Sequence, residues 1–506
     1  MNEYHRYRLL EMIPGTLTWL TFIFAVVFSF IQPVWVLYFV IVFDLFWFFR
    51  IVYFVFYLII SWNRYRQSIK ISWPARLATE IPNWREYYHV VFLPTYKEPL
   101  DVIRKTFINL TEIDHPLDRM IVVLAGEERD KENFLKTAEA IKTEFGHRFY
   151  HFMVTVHPKD IPGDLPGKGS NLHHAGQLAQ NMIDERKIHY EKVIVSSFDV
   201  DTCVHPYYFS YLTYLYCTVP NPTRASYQPV VLYNNNIWQT NPILRISAFG
   251  TIFWLLTELA RPERLFTFSS HSMSFKALVD VGFWQRNIVT EDSRIFLQCF
   301  LRYSGEYRVV PMYMSVSMHT AAGDNFWDSL KNLYKQQRRW AWGVEHFPFM
   351  VWHFNRHKRI PWGKKLKYLW NLGEGMYSWA TAPVLITILG YLPFWVAPDA
   401  LRTSALYQNT PFALEKIMTL AMAGIFVSAT LNLLLLPPPP TYRPKIWSYG
   451  VMVLQWLLLP VTFIMFGAVP AIDAQTRLAL GKYLGFYVTK KSKDVQTVPP
   501  QSVFGS

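Results

Sequence analysis

Cysteine is nearly absent: Cys203, Cys217 and Cys299 are the only three in 506 residues. They lack the spacing of a metal-binding set, which leaves them as reduced, structural residues. A removable leader is not expected either. The first residues, MNEYHRYRLLEMIPG, have no small-residue cleavage site behind a short apolar core. No internal repeat recurs along the chain. Charged residues make up only 17%, and they are unbalanced, with a net charge of +13. The Lys and Arg residues cluster beside hydrophobic runs. That argues against a nucleic-acid surface and for a cytoplasmic membrane face and small polyanions.

What the chain has instead is apolar and aromatic mass, 51% and 17% of its residues. Aromatic residues at that level suit membrane-interface belts and stacking surfaces. Gly15 to Ile31 and Val34 to Ile60 are apolar runs broken at Gln32-Pro33. Each is long enough to cross a bilayer, which takes about 20 residues. Arg6 and Arg8 precede the pair, and Arg64, Arg66 and Lys70 follow it. Positive charge at both ends predicts a hairpin with both ends in the cytoplasm. Asp44 and Arg50 fall inside the second run, either as a compensated pair or as the lining of a polar path.

From residue 85 the pattern changes. HVVFLP, RMIVVLAG, YHFMVTV and KVIVSSFD are short β-rich runs, separated by helical patterns such as 130–144 and 170–184. Alternation of this kind predicts a mostly parallel α/β sheet, with ligands at the carboxyl ends of the strands. Beyond Trp340, HFNRHKRIPWGKKLK is basic with interleaved aromatics, as in helices lying on an anionic membrane surface. Apolar segments follow at about 372–397, 412–436 and 447–470. Three full spans would put the basic tail outside, so one segment is expected to be re-entrant, with Pro383 and Pro393 or Pro460 and Pro470 as its marks. The expected organisation is a transmembrane hairpin (1–62), a cytoplasmic catalytic domain (63–345), interface helices (346–371), transmembrane or re-entrant segments (372–475) and a cytoplasmic tail (476–506).

Chemistry-bearing residues fall at the ends of the strand runs. Asp199 and Asp201 follow KVIVSSF, and two carboxylates spaced by one residue can hold a hard divalent cation on a diphosphate. Glu291 and Asp292 open a helical pattern. Acids are common in a first turn, and Thr290 before them could be a simple cap; the alternative is a base that takes a proton from a hydroxyl. Lys168 and Asn171 sit in PGKGSN, a Gly-rich turn suited to phosphate oxygens. Thr95, Tyr96 and Glu98 end the first strand, where a nucleotide base could rest.

In order, the chain shows PTYKEP, an acidic turn after the second strand, GKGSN, Asp-x-Asp, Thr-Glu-Asp and Gln-Gln-x-Arg-Trp. Over residues 85–345 this resembles the membrane-embedded, processive family-2 glycosyltransferases: cellulose, hyaluronan and chitin synthases and their kin. The tail's GFYVTKK, with Phe486, Val488, Thr489 and Lys491, is similar to the gating loop of cellulose-synthase-like enzymes.

The resemblance implies a GT-A-like, Rossmann-like mixed sheet between membrane helices in an inner or plasma membrane. It also implies inverting, Mg2+- or Mn2+-dependent transfer from a UDP-sugar, UDP-glucose before UDP-N-acetylglucosamine. The implied acceptor is a growing polysaccharide, or a lipid-linked sugar if additions are single. Asp292 matches the general base. Asp199 and Asp201 match the metal and diphosphate motif, with Asp201 favoured as the direct ligand. Thr95, Tyr96, Glu98, Lys168, Asn171, Gln336 and Arg339 match donor-site residues, and Glu291 and Trp340 match the acceptor side.

Two stretches depart from the family. LAGEERD leaves Glu127 as the counterpart of an Asp-rich turn, and FTFSSHS at 266–272 replaces the usual acceptor stretch. A transporter or scaffold with an inactive catalytic domain is the remaining class, against which Asp199, Asp201 and Asp292 stand.

Overall fold

The computed structural model describes residues 2–437 and 446–485. Two long helices come first, α1 (Glu3–Ile31) and α2 (Pro33–Ser68), with Gln32 as the break and Pro33 at the first turn of α2. Proline is tolerated there because the first-turn N–H has no intrahelical partner. A short α3 (Trp73–Glu80) leads into the sheet domain.

That domain runs β1 (Tyr88–Pro94), α4 (Leu100–Thr111), β2 (Met120–Glu127), α5 (Lys131–Phe145), β3 (His151–His157), α6 (Lys168–Glu185), β4 (Val193–Ser197), β5 (Cys203–Val204) and α7 (Tyr208–Thr218). It continues through β6 (Ala225–Leu232), α8 (Pro242–Leu259), β7 (Ser272–Ser274), α9 (Phe275–Asp280), α10 (Glu291–Arg302), β8 (Arg308–Ser317) and α11 (Phe326–Ala341). The sheet order is β3-β2-β1-β4-β7-β6-β8-β5. β1 to β4 pair in parallel, whereas β7 runs antiparallel to β4 and β6, and β5 antiparallel to β8. β2 and β4 are buried along their whole length, which is why they read as unbroken apolar runs rather than alternating ones. The sheet is thus mixed, as the family resemblance implies, where strand–helix alternation alone predicts a mostly parallel one. Its antiparallel part comes from strands too short or too polar to read as runs, such as Ser272–Ser274.

The last third is helical: α12 (His346–Arg356), α13 (Trp362–Thr387), α14 (Leu392–Val396), α15 (Asp399–Arg402), α16 (Ala405–Leu434), α17 (Ile446–Leu454), α18 (Leu459–Phe463) and α19 (Val469–Ala479). Among the described residues five helices are long and apolar enough to cross a membrane: α1, α2, α8, α16 and Gly450–Ala479. A sixth is possible if α13 and α14, bent by 47° at their junction, count as one. α13 passes residue 371 without a break, so the basic amphipathic stretch and the apolar stretch after it share one helix. α8 is the surprise. It lies within the sheet domain by chain order, yet it is mostly apolar, Arg245 and Glu258 being its charged residues, and it is largely buried against β6 and α2.

Candidate active site

The carboxyl ends of β1, β2, β4, β6 and β8 lie along one edge of the sheet. The N-terminus of α6 carries Lys168 in its first helical turn, behind Gly167 at φ 152°. Gly169 allows the close approach that follows, since a Cβ there would stand 2.9 Å from the Gln285 carbonyl and 3.3 Å from the Glu291 Cβ. The Lys168 Nζ donates to Asp199 Oδ1 at 2.8 Å and to both oxygens of Asp292, at 3.0 and 2.9 Å. A third carboxylate, Glu291, lies 3.8 Å away. Burial alone would depress the Lys168 ammonium, but Asp199, Asp292 and Glu291 reverse that and hold its pKa up. Glu291 is 1% exposed, and neither of its side-chain oxygens has a hydrogen-bond partner. Burial first, then the charge of Asp292, pushes its carboxyl well above the ordinary range.

Thr290 does not cap α10. Its hydroxyl donates to half-buried Glu345 instead. Asp292 is held from behind by Thr267, whose Oγ1 donates to its carbonyl at 2.6 Å. Asp199 takes a second bond, from Ser269 Oγ at 2.8 Å.

Asp201 faces a different neighbour. His319, at the end of β8, meets its Oδ2 through the backbone N–H and through Nδ1, both at 3.1 Å. A carboxylate and an imidazole at adjacent strand ends suit a divalent cation. Among the described residues no cluster of three or more His, Cys, Asp or Glu forms a ligand set. Mg2+ commonly takes one or two protein carboxylates and completes its shell with water and substrate phosphates, so the residues present fit such an ion.

At the ends of β1 and β2 the nucleoside candidates gather. Glu98 accepts from Thr95 Oγ1 at 2.7 Å and from the Tyr96 N–H. The Arg129 guanidinium pairs with buried Glu127 and lies 4.5 Å from the Tyr96 ring centroid. Asn171 is buried beneath them and donates to the Ala125 carbonyl at 2.8 Å, which also accepts from the Thr95 N–H. Asn171 thus ties α6 to the end of β2.

On the opposite side, α11 presents Gln336, Arg339 and Trp340, all half-buried. Trp340 stacks obliquely on Tyr233, with centroids 5.6 Å apart. Gln337 is turned away, onto Ser247 of α8. Phe486, Val488, Thr489 and Lys491 lie outside the described residues.

Sequence reasoning missed several contributors. Tyr233 is buried beside the site; burial, then Asp199, raises its phenol pKa. Asn235 holds the Asp201 carbonyl at 3.3 Å, and Asn236 accepts from the Thr320 N–H at 2.8 Å. The available signal was the YNNN run closing an apolar strand. His319 had a weaker one, a lone His after MYMSVSM. Asp473 of α19 accepts from Tyr334 at 3.1 Å and from Arg338 at 2.9 Å, and nothing local in the sequence links it to α11.

The description of the glycosyl transferase family group 2 matches residues 194–471, more than half of the chain. The chain belongs to that family. It is therefore a glycosyltransferase, and its mixed, curled sheet is the GT-A-like α/β domain. Among curated proteins none matches the chain.

Solved structures similar to this glycosyltransferase include the mannosyltransferase PcManGT from Pyrobaculum calidifontis in complex with GDP-Man and Mn2+. It shows 14% identity over 85% of this chain and 100% of that one, at a TM-score of 0.40. S. aureus TarS 1-349 in complex with UDP shows 12% identity over 71% and 94%, at 0.33. GalNAc-T7 with UDP, GalNAc and Mn2+ shows 10% over 60% and 58%, at 0.28.

Proposed function

We propose that this glycosyltransferase is membrane-embedded and inverting. It transfers a hexose from a UDP-sugar, UDP-glucose first and UDP-N-acetylglucosamine second, to a growing polysaccharide that leaves between its apolar helices. The carrying observation is the meeting of Lys168 with Asp199 and Asp292 beside the Asp201–His319 pair. Asp292 takes the proton of the attacking hydroxyl. Lys168 orients that carboxylate through both of its oxygens, and turns toward the donor phosphates as they enter. Asp201 and His319 would hold a Mg2+ or Mn2+ ion, which when bound neutralises charge on the leaving diphosphate. Tyr96, against Arg129 and above Glu98, receives the nucleoside. Arg339 faces the diphosphate, and Trp340 offers its ring to the acceptor sugar. The catalytic domain lies on the cytoplasmic side, where the basic residues flanking α1 and α2 would hold it.

A second reading, single-sugar transfer to a lipid-linked acceptor, is favoured by the 266–272 stretch. There Thr267 and Ser269 are spent on Asp292 and Asp199 rather than left for a polymer. The test is UDP release by the purified protein in lipid nanodiscs, across a donor panel with Mg2+ or Mn2+, followed by product sizing. Polymer from one UDP-hexose is the expected result. Single additions select the second reading, and no turnover of any donor defeats both.

A further inference from the structure

A cluster of charges lies where α2, α8 and α13 meet, and the reaction above does not use it. Arg50 of α2 pairs with Glu374 of α13. Just past the end of α8, Arg261 pairs with Glu258, and Arg264 Nε lies 3.8 Å from the same carboxylate. Arg50 and Arg261 flank one ring, Phe54, at 4.8 and 5.3 Å from its centroid. Asn371 of α13 secures the segment by donating to the Arg264 carbonyl at 3.0 Å. Three guanidiniums thus share two carboxylates, while Glu263 points outward, exposed.

Each guanidinium also keeps a buried N–H without an acceptor: Arg50 Nε, Arg261 Nη1 and Arg264 Nε. Buried charged donors are costly when unpaired, so the cluster has donors to spare for one more anion. Planar guanidinium forks match phosphate oxygens.

Depth narrows the choice. The inner end of α2 belongs to the sheet domain: Tyr65 donates to Ser315 at 3.2 Å, and Leu58 is in its core. A bilayer core takes about 20 helical residues; counted from Pro33, that leaves Arg50 at the inner headgroup level. From Arg264 the chain needs three residues to reach Thr267 on Asp292 and five to reach Ser269 on Asp199. An extended residue spans at most about 3.6 Å, so an anion held here lies close to the reacting centre.

We propose that Arg50, Arg261 and Arg264 bind the phosphate of a lipid at the inner membrane surface. The inference rests on the membrane reading above but not on the identity of the donor. Two sources share this chemistry: a phospholipid of the bilayer and an isoprenoid phosphate serving as acceptor or primer.

Native mass spectrometry of the full chain in detergent tests it, with phosphatidic acid, polyprenyl monophosphate, diacylglycerol and inorganic phosphate as probes. Phosphate-bearing lipids should bind at least tenfold tighter than diacylglycerol or inorganic phosphate. Tighter polyprenyl phosphate marks an acceptor site, and tighter phosphatidic acid marks a structural bilayer lipid. Arg264→Gln, and separately Arg50→Gln with Glu374→Gln so that no carboxylate is stranded, should each weaken that binding at least tenfold at an unchanged unfolding temperature. Equal binding of diacylglycerol and phosphatidic acid by the unaltered protein overturns the proposal, as does full affinity in both folded variants. The binding assay contains no donor, so its failure leaves sugar transfer standing, and failed UDP release leaves the lipid site standing.

Discussion

Both carboxylate oxygens of Asp292 lie within hydrogen-bonding distance of one ammonium, which fixes the orientation of the group until something competes for Lys168. Asp292→Asn removes the base but keeps the shape. It should lower transfer about 10²- to 10⁴-fold while UDP binding by calorimetry stays within twofold or so; an active Asn variant would remove Asp292 from this role. His319 is the residue-scale novelty. If it shares a cation with Asp201, His319→Ala should raise the Mn2+ concentration for half-maximal activity by about 10- to 100-fold, the range seen when support of a metal ligand is lost. An unchanged Mn2+ titration would leave His319 as a hydrogen-bond partner of Asp201 alone. Of these residues the carboxylates were legible, because an acid ending an apolar strand is conspicuous. His319 was not, since its partner is 118 positions away.

At the scale of elements, α19 is fastened on two sides. Its Asp473 bonds Tyr334 and Arg338 of α11 and Arg477 of its own helix. Against α1, Gln475 accepts from Thr18 at 2.7 Å, and Arg8 donates to the Leu478 and Ala479 carbonyls at 3.1 and 2.9 Å. α11 carries Trp340 for the proposed acceptor and Gln336 and Arg339 for the proposed donor, so Asp473 would position both without touching either. Asp473→Asn gives up charge-assisted bonds each worth about 1.5–3 kcal/mol. It should raise both the donor and the acceptor KM roughly tenfold at an unchanged thermal midpoint, and Asp473→Glu should restore part of the loss. A thermal midpoint that falls as both constants rise would point to general loosening. The α1–α19 contact is close because Gly15 has no side chain: a Cβ there would meet the Gln475 carbonyl at 2.7 Å and Ala479 Cβ at 3.0 Å. Gly15→Leu should cost about 1–3 kcal/mol, read as a fall in the thermal midpoint in detergent. The helices themselves were foreseeable from length and composition. The placement of α8 was not, because an apolar helix reads alike whether it faces lipid or a sheet.

For the whole molecule, acid is the predicted weakness. His89 and His115 meet edge to face at 4.9 Å beneath the sheet, bonded to Thr213 and Ser210 at 2.8 and 3.3 Å. Burial, then the neighbouring charge of His115, holds His89 well below the usual imidazole range; burial, then Arg85, brings His115 down to about 3. Unfolded, both take up protons near pH ~6.5. Stability from their neutral forms is therefore full above that pH and lost as pH falls below it, by about 1.4 kcal/mol per pH unit for each histidine. Thermal midpoints between pH 7 and pH 5 should fall accordingly, and His115→Phe should flatten the slope. A midpoint independent of pH over that interval would contradict neutral burial of the pair.

The sequence by itself determined the alternation of strands and helices, the apolar runs able to cross a bilayer, and the acids that close the strands. These are local consequences of β-rich runs, helical periodicity and breaks at Pro and Gly. Only the tertiary structure decided that Lys168 stands among Asp199, Glu291 and Asp292, that Asp201 meets His319, that α19 braces α11 across 135 positions, and that Arg50, Arg261 and Arg264 gather where α2, α8 and α13 meet. Such meetings depend on strand order and helix packing. A buried charge is tolerated only where a partner arrives from another part of the chain, and no local pattern records which part that is.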